Sequence, residues 1–255
     1  MVSSDPSPTI RIQNVSRRFG AQEVLRDITM DVHPGSIVGL LGPSGSGKTT
    51  LIKMIAGSDA PTGGTVHVHG QLMPTLTVLP QIGYMAQSDA LYMELSAREN
   101  MEFFGALYDL SGRKLRDRIE QLAALVNLGG DLDRPIGLFS GGMKRRLSLA
   151  IALLHEPTIL ILDEPTVGID PVLRKSVWAE LRGYADAGTS ILVTTHVMDE
   201  ADKCDTVAMI RDGRVIASDT PEKLKAGISV STIEEVFLHY SSVREPPPPA
   251  PGVVS

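Results

Sequence analysis

Of the chain's 255 residues, 42% are hydrophobic, 21% charged and only 4% aromatic, proportions that fit an aliphatic-cored globular protein and exclude collagen-like or wholly disordered chains. At about 150 residues per domain, this length means one large domain or one domain with a sizeable insert. The net charge of −6 argues against a nucleic-acid binder held mainly by phosphate neutralisation.

The first residues, Met-Val-Ser-Ser-Asp-Pro-Ser-Pro, have neither the basic nor the apolar region of a signal peptide. Residues 8–16 alternate apolar and polar side chains (Ile10, Ile12, Val15), the two-residue period of a half-buried strand, and Thr65 to His69 repeat the pattern more weakly. Ser36 to Leu41, Thr158 to Leu162 and Ser190 to Val193 are almost continuously apolar, as expected of parallel strands covered by helices on both faces. Between residues 88 and 135 the period becomes helical. Leu115, Ile119, Leu122 and Val126 share one face, and Ser96 with Glu99 forms a capping box that opens a helix carrying Met101, Phe104 and Tyr108. Cys204 is the only cysteine and cannot close an intrachain disulfide, which favours a reducing compartment, the cytosol. No stretch approaches the ~18 uninterrupted apolar residues of a membrane span. The end of the chain, Pro246 to Gly252, lacks donors and any apolar period, and reads as a disordered or polyproline-like tail.

Three motifs carry chemistry. Gly42-Pro43-Ser44-Gly45-Ser46-Gly47-Lys48-Thr49-Thr50 follows an apolar strand and precedes the helical run Leu51, Ile52, Met54, Ile55. In a phosphate loop of this kind the glycines turn backbone amides inward round an anion, the lysine neutralises terminal phosphates, and the threonine hydroxyl can ligate magnesium. A buried strand ends in Asp163-Glu164-Pro165, where ligands of parallel sheets bind. Asp163 is suited to the magnesium shell, and Glu164 to taking a proton from an attacking water. Phe139-Ser140-Gly141-Gly142-Met143 precedes the helical run Leu147, Ile151, Leu154. It is either a second anion site at a helix N-terminus or a serine N-cap followed by packing glycines. As an anion site without its own magnesium aspartate and base, it would complete a nucleotide site on another molecule, in a head-to-tail dimer.

With these motifs in this order, the chain resembles the ATPase subunit of an ATP-binding-cassette (ABC) transporter over residues 8 to about 240. The resemblance implies an α/β fold with a mainly parallel phosphate-loop sheet flanked by helices, an N-terminal antiparallel β subdomain and a helical subdomain inserted at about 88–150. Residues 241–255 remain as the Pro-rich tail. It implies ATP and Mg2+ as ligands, with Thr49, Gln87 and Asp163 toward the metal. It identifies Glu164, His196 and Gln87 as the catalytic set, Phe19 as the ring stacked on adenine, and Val167 to Asp170 as a dimer-contacting loop. Without the resemblance, His196 would read as a surface residue at a strand end and Phe19 as a hydrophobic strand-end residue.

Ala86 stands before Gln87 where the family commonly has proline, and Met143 replaces the commoner glutamine. Phe139 to Leu147, together with Ser231 to Leu238, is similar to the exporter branch that moves drugs, nodulation factors, polysaccharides or lipids. The implied partners are a separate integral-membrane permease and a second, identical cassette, with no nucleic acid, at the cytoplasmic face of the membrane. An importer subunit is the nearer alternative, although the residues after Tyr240 leave no room for the regulatory domain such subunits often carry. A soluble cassette acting on nucleic acid or ribosomes is the more distant one. The segment from Gln87 to about Phe104, with Met85, Tyr92, Met93, Leu95 and Met101, is expected to receive a helix of the permease. Lys144, Arg145 and Arg146 read as a solvated helix face, with an anion site as the alternative.

Overall fold

The computed structural model describes residues 7–88 and 90–242, and the Pro-rich stretch from 243 onward lies outside the described residues. Two sheets organise the chain. β1 (Ile10–Phe19), β2 (Gln22–Val32), β4 (Gly63–Val68) and β5 (Gln71–Leu72) form a four-stranded sheet in the order β2-β1-β4-β5, antiparallel throughout. β3 (Ile37–Leu41), β6 (Ile82–Met85), β7 (Ile159–Asp163), β8 (Ser190–Thr195), β9 (Thr206–Arg211) and β10 (Arg214–Asp219) form a six-stranded sheet in the order β10-β9-β3-β8-β7-β6. Its strands run parallel except β10, which returns antiparallel to β9 through a tight turn at Asp212 and Gly213.

The continuously apolar strands of the sequence are the buried centre of the second sheet, and the two-residue strand period divides them between two cores. Val38, Leu40, Ile159, Ile161 and Leu192 face α1 (Lys48–Ile55) and the antiparallel sheet. Ile37, Leu41, Leu160, Leu162, Ile191 and Val193 face the opposite way, toward a core shared with α2 (Ala97–Leu107), α3 (Gly112–Leu125), α4 (Gly141–Ala152) and α5 (Pro171–Asp186). Such side chains, fully buried, each contribute about 1.5–3 kcal/mol, so this alternation fixes strand register. Three short helices, α6 (Met198–Ala201), α7 (Pro221–Gly227) and α8 (Ile233–Ser242), complete the second layer.

The helical insert begins with the expected capping box: Glu99 N donates to Ser96 Oγ, and Ser96 N donates to the Glu99 carboxylate at 2.7 Å. Tyr108 is not inside α2 but is its C-cap. Leu115, Ile119, Leu122 and Val126 form the buried face of α3 and its C-cap, as their spacing predicts. The strands β2, β9 and β10 carry no equally plain sequence signal.

Candidate active site

β3 ends at Leu41 and α1 begins at Lys48, so the glycine-rich loop lies at the C-terminal edge of the parallel sheet. Ser46 N donates to Pro43 O at 3.2 Å and closes the loop on itself. Gly47 is the helix N-cap with φ 107°, a left-handed conformation that side chains disfavour. No side chain caps α1, which leaves its first-turn amides open to an anion. Lys48 folds back over the loop and donates from Nζ to Gly42 O at 2.7 Å and Pro43 O at 3.0 Å. Burial lowers the Lys48 pKa, opposed by the carboxylates of Glu164 and Asp163.

Across the sheet edge, Thr49 Oγ1 donates to Asp163 Oδ2 at 2.9 Å, and Thr194 Oγ1 donates to the other oxygen of Asp163. Asp163 is buried (1% exposed). Glu164, one residue on, leaves the strand with φ 56°, a conformation that costs a non-glycine residue on the order of 1–2 kcal/mol and persists only when its surroundings impose it. Its amide donates to Thr194 O and Thr194 Oγ1, and its carboxylate oxygen Oε1 lies 3.1 Å from His196 Nδ1. Lys48, Thr49, Thr50, Gln87 and Glu164 share the lining of one cavity with Ser44, Gly45 and Gly47. A larger cleft, about 770 Å3, lies near the starts of β7 and β8, between Thr9, His67, His69 and Thr158. It is at the wrong end of the parallel strands for a phosphate loop.

The residues present fit a polyphosphate with a hard cation. The open α1 amides, Lys48 and the buried Ser46 hydroxyl, which has no partner among the described residues, supply anion contacts. The Thr49 hydroxyl and Asp163 carboxylate, hydrogen-bonded to each other, are oxygen donors of the kind magnesium prefers and could serve as two of its ligands. No cluster of three His, Cys, Asp or Glu able to hold a metal exists among the described residues.

Ser140, Gly141 and Gly142 do not line that cavity. Ser140 is the N-cap of α4, its Oγ accepting from Met143 N at 3.2 Å. The serine therefore caps its own helix, and Ser140 and Gly141 stand exposed at its amide end. A Cβ on Gly142 would lie 2.8 Å from Gly168 O, so the helix start is pressed against the 167–170 loop, whereas a Cβ on Gly141 would meet open space. In that loop Val167 and Gly168 are exposed, but Asp170 caps α5, accepting from Val172 N and Leu173 N. Its carboxylate is thus engaged within its own chain. Phe19 is half-exposed, and the Arg17 guanidinium sits 4.5 Å over its ring, itself paired with Asp59.

Two expectations need correction. Arg145 is not on a solvated face: it is buried and donates to the main-chain carbonyls of Ala86, Gln87, Asp163 and Glu164, while Arg146 donates to Val126 O and Asn127 O. Along a helix a run of basic residues wraps round all faces, so composition alone cannot say which one turns inward. Met85 and Met101 lie in the core, leaving Tyr92 (45% exposed) and Met93 (40%) at the surface, joined by Phe103 and Leu107. Sequence reasoning also missed Thr194 and Glu200. Glu200, buried, accepts from Thr166 and Thr195 and so ties the strand end before the 167–170 loop to the strand end before His196. The run Thr194-Thr195-His196 was the available signal, since hydroxyls at a buried strand end need partners.

A family model described as ABC transporter matches residues 25–167. The chain is 39% identical over 222 residues to the Nod factor export ATP-binding protein I of Burkholderia lata, covering 86% of this chain and 73% of that one. It is 38% identical over 231 residues to the ABC transporter G family member 20 of Dictyostelium discoideum, covering 90% of this chain and 32% of that one. The chain thus spans about a third of the length of the Dictyostelium relative. Among solved structures, an ATP-binding subunit of an ABC transporter superposes with a TM-score of 0.86 at 28% identity, covering 92% of this chain and all of that one. A dimeric ATP-binding cassette in a post-hydrolysis state, bound to ADP and Pi, does so with a TM-score of 0.77 at 25% identity, covering 83% and 98%.

Proposed function

Because the chain belongs to the ABC transporter family of ATP-binding cassettes, we propose that it binds and hydrolyses Mg-ATP as one half of a head-to-tail dimer and powers export through a separate membrane permease. The observation that carries the reading is Glu164: a carboxylate 16% exposed, held 3.1 Å from His196 and lining the same cavity as Lys48, Thr49 and Gln87.

The α1 amides and Lys48 bind the phosphates, with Lys48 giving up its loop carbonyls to reach the terminal one. Thr49 and Asp163, assisted by Gln87, would hold Mg2+, which when bound would supply neutralisation of charge on the transferred phosphoryl group. Glu164 accepts the proton of the attacking water, and His196 orients that carboxylate and faces the terminal phosphate. Phe19 stacks on adenine through the ring face opposite Arg17. Ser140, Gly141 and Gly142, which do not line the cavity of their own chain, close on the nucleotide held by the other copy. The functional unit is residues 8–240, with the helical subdomain at about 88–150.

Membrane attachment is assigned to the permease, at the cytoplasmic face; no helix among the described residues is long and apolar enough to cross a membrane. The export direction follows from the likeness to the Nod factor export protein, and the substrate class is a drug, lipid or polysaccharide-like molecule chosen by the permease. The test is Glu164→Gln, which keeps the shape and loses the proton acceptor. The variant should bind ATP, form a stable ATP-dependent dimer by light scattering and lose at least about 100-fold in turnover, at the low end of what acid–base catalysis supplies. Wild-type turnover in that variant would sink the reading.

A further inference from the structure

Arg145 sits on the first turns of α4, just after the Ser140–Gly142 motif, and is 7% exposed. Its guanidinium grips two separate segments. Nη1 donates to Ala86 O at 2.7 Å and Gln87 O at 3.0 Å. Nη2 donates to Glu164 O at 2.9 Å and to Asp163 O, and Nε reaches Glu164 O at 3.2 Å. A charge is costly to bury unless hydrogen bonds compensate it, and only a planar fork can address two pairs of carbonyls at once, where an ammonium is a point charge.

The place it grips is a strained one. Glu164 has φ 56°. Thr194 holds the amide of this residue, and Arg145 holds its carbonyl. With both ends of the residue clamped, the direction in which its side chain leaves the backbone is set. A strained conformation of this kind survives only where neighbours over-determine it.

We propose that Arg145 is a positioning residue for hydrolysis: it fixes Glu164 in the conformation that aims its carboxylate into the cavity and holds the Gln87 loop in register with it. The proposal rests on the reading of Glu164 as the base. It also gives α4 a second task, since the helix that presents the Ser140–Gly142 motif to one nucleotide then braces the base acting on the other.

The test is a double-mutant cycle on the full chain with Arg145→Lys and Glu164→Gln, following steady-state turnover and, for the slow variants, hydrolysis of bound radiolabelled ATP over hours. Arg145→Lys alone should lower kcat by about 10- to 100-fold with KM for ATP within about twofold. Added to Glu164→Gln, it should change the residual rate by less than about twofold, because the group it aims is no longer a base. An equal loss in both backgrounds would mean a general structural role and overturn the proposal, as would wild-type kcat in the folded Arg145→Lys chain. Arg145→Gln serves as the second variant if lysine is not accommodated, and failure of both to fold would assign Arg145 to stability and reject the proposal. Wild-type turnover in Glu164→Gln alone would instead remove the reading of Glu164, and is distinguished by being seen before Arg145 is changed.

Discussion

Side chains whose chemistry depends on their surroundings behave here in opposite ways. Cys204 is 5% exposed, and burial, aided by Asp205 and Glu200, pushes its thiol up to about 12, so it is a protonated core residue with little reactivity. His155 lies flat on Tyr108, ring centroids 3.6 Å apart. Burial pushes its imidazole down to about 4, against an upward pull from the Ile82 backbone and with the Arg118 charge adding to the depression. In the unfolded chain the same ring titrates near ~6.5. Protonation therefore favours the unfolded state, and stability present above pH ~6.5 is lost as the pH falls through the window down to about 4. Thermal unfolding of wild type and His155→Gln at pH 7.5 and 5 should show the wild type losing more Tm on acidification. Parallel losses would rule out His155 as the source.

At the scale of elements, α2 and the segment before it are joined by one buried amide. Asn100 accepts from Tyr92 N at 2.9 Å and donates to Tyr92 O and Ser96 O. This fixes the stretch from Tyr92 to Ser96 against the helix, and with it an exposed aromatic pair, Tyr92 and Phe103, edge to face at 4.7 Å. Met93 lies alongside, its carbonyl accepting from Gly137 N beside the exposed Leu138. An apolar patch so pinned is suited to receiving a short amphipathic helix, and it begins a few residues after Gln87. Tyr92→Glu and Phe103→Glu each place a charge there without touching the core. Both variants should fold and keep basal ATPase while co-purification of the permease in mild detergent falls at least about tenfold. Undiminished co-purification by both would place the contact elsewhere.

For the whole molecule, the proposed head-to-tail dimer turns on the exposed start of α4, which lies outside the cavity lined by Lys48 and Glu164. Gly141 is exposed, and a side chain there would meet nothing within 4 Å. Gly141→Asp should therefore leave the monomer folded and its own phosphate loop able to bind ATP, while the new carboxylate repels the other copy's terminal phosphate. Light scattering of Gly141→Asp, combined with Glu164→Gln to prevent turnover, should show monomer at ATP concentrations that dimerise Glu164→Gln alone. A dimer of unchanged affinity would exclude the head-to-tail arrangement.

Local features were legible in the sequence wherever the chemistry is local. The phosphate loop, the Asp163-Glu164 strand end, the capping box and the buried parallel strands each depend on residues within a few positions of one another, and the spacing alone names them. The resemblance carried the longer-range order of motifs, including His196, Gln87 and Phe19. What the tertiary structure decided is which of several equivalent side chains turns inward. Lys144, Arg145 and Arg146 are alike in composition, yet only packing of α4 against β6 and the end of β7 sends Arg145 into the carbonyls round Glu164. Met85, Met93 and Met101 likewise divide between core and surface only once the helices are placed. The left-handed turn at Glu164 was invisible for the same reason: a glutamate does not choose φ 56° by itself, and the clamps that impose it come from residues distant in the chain.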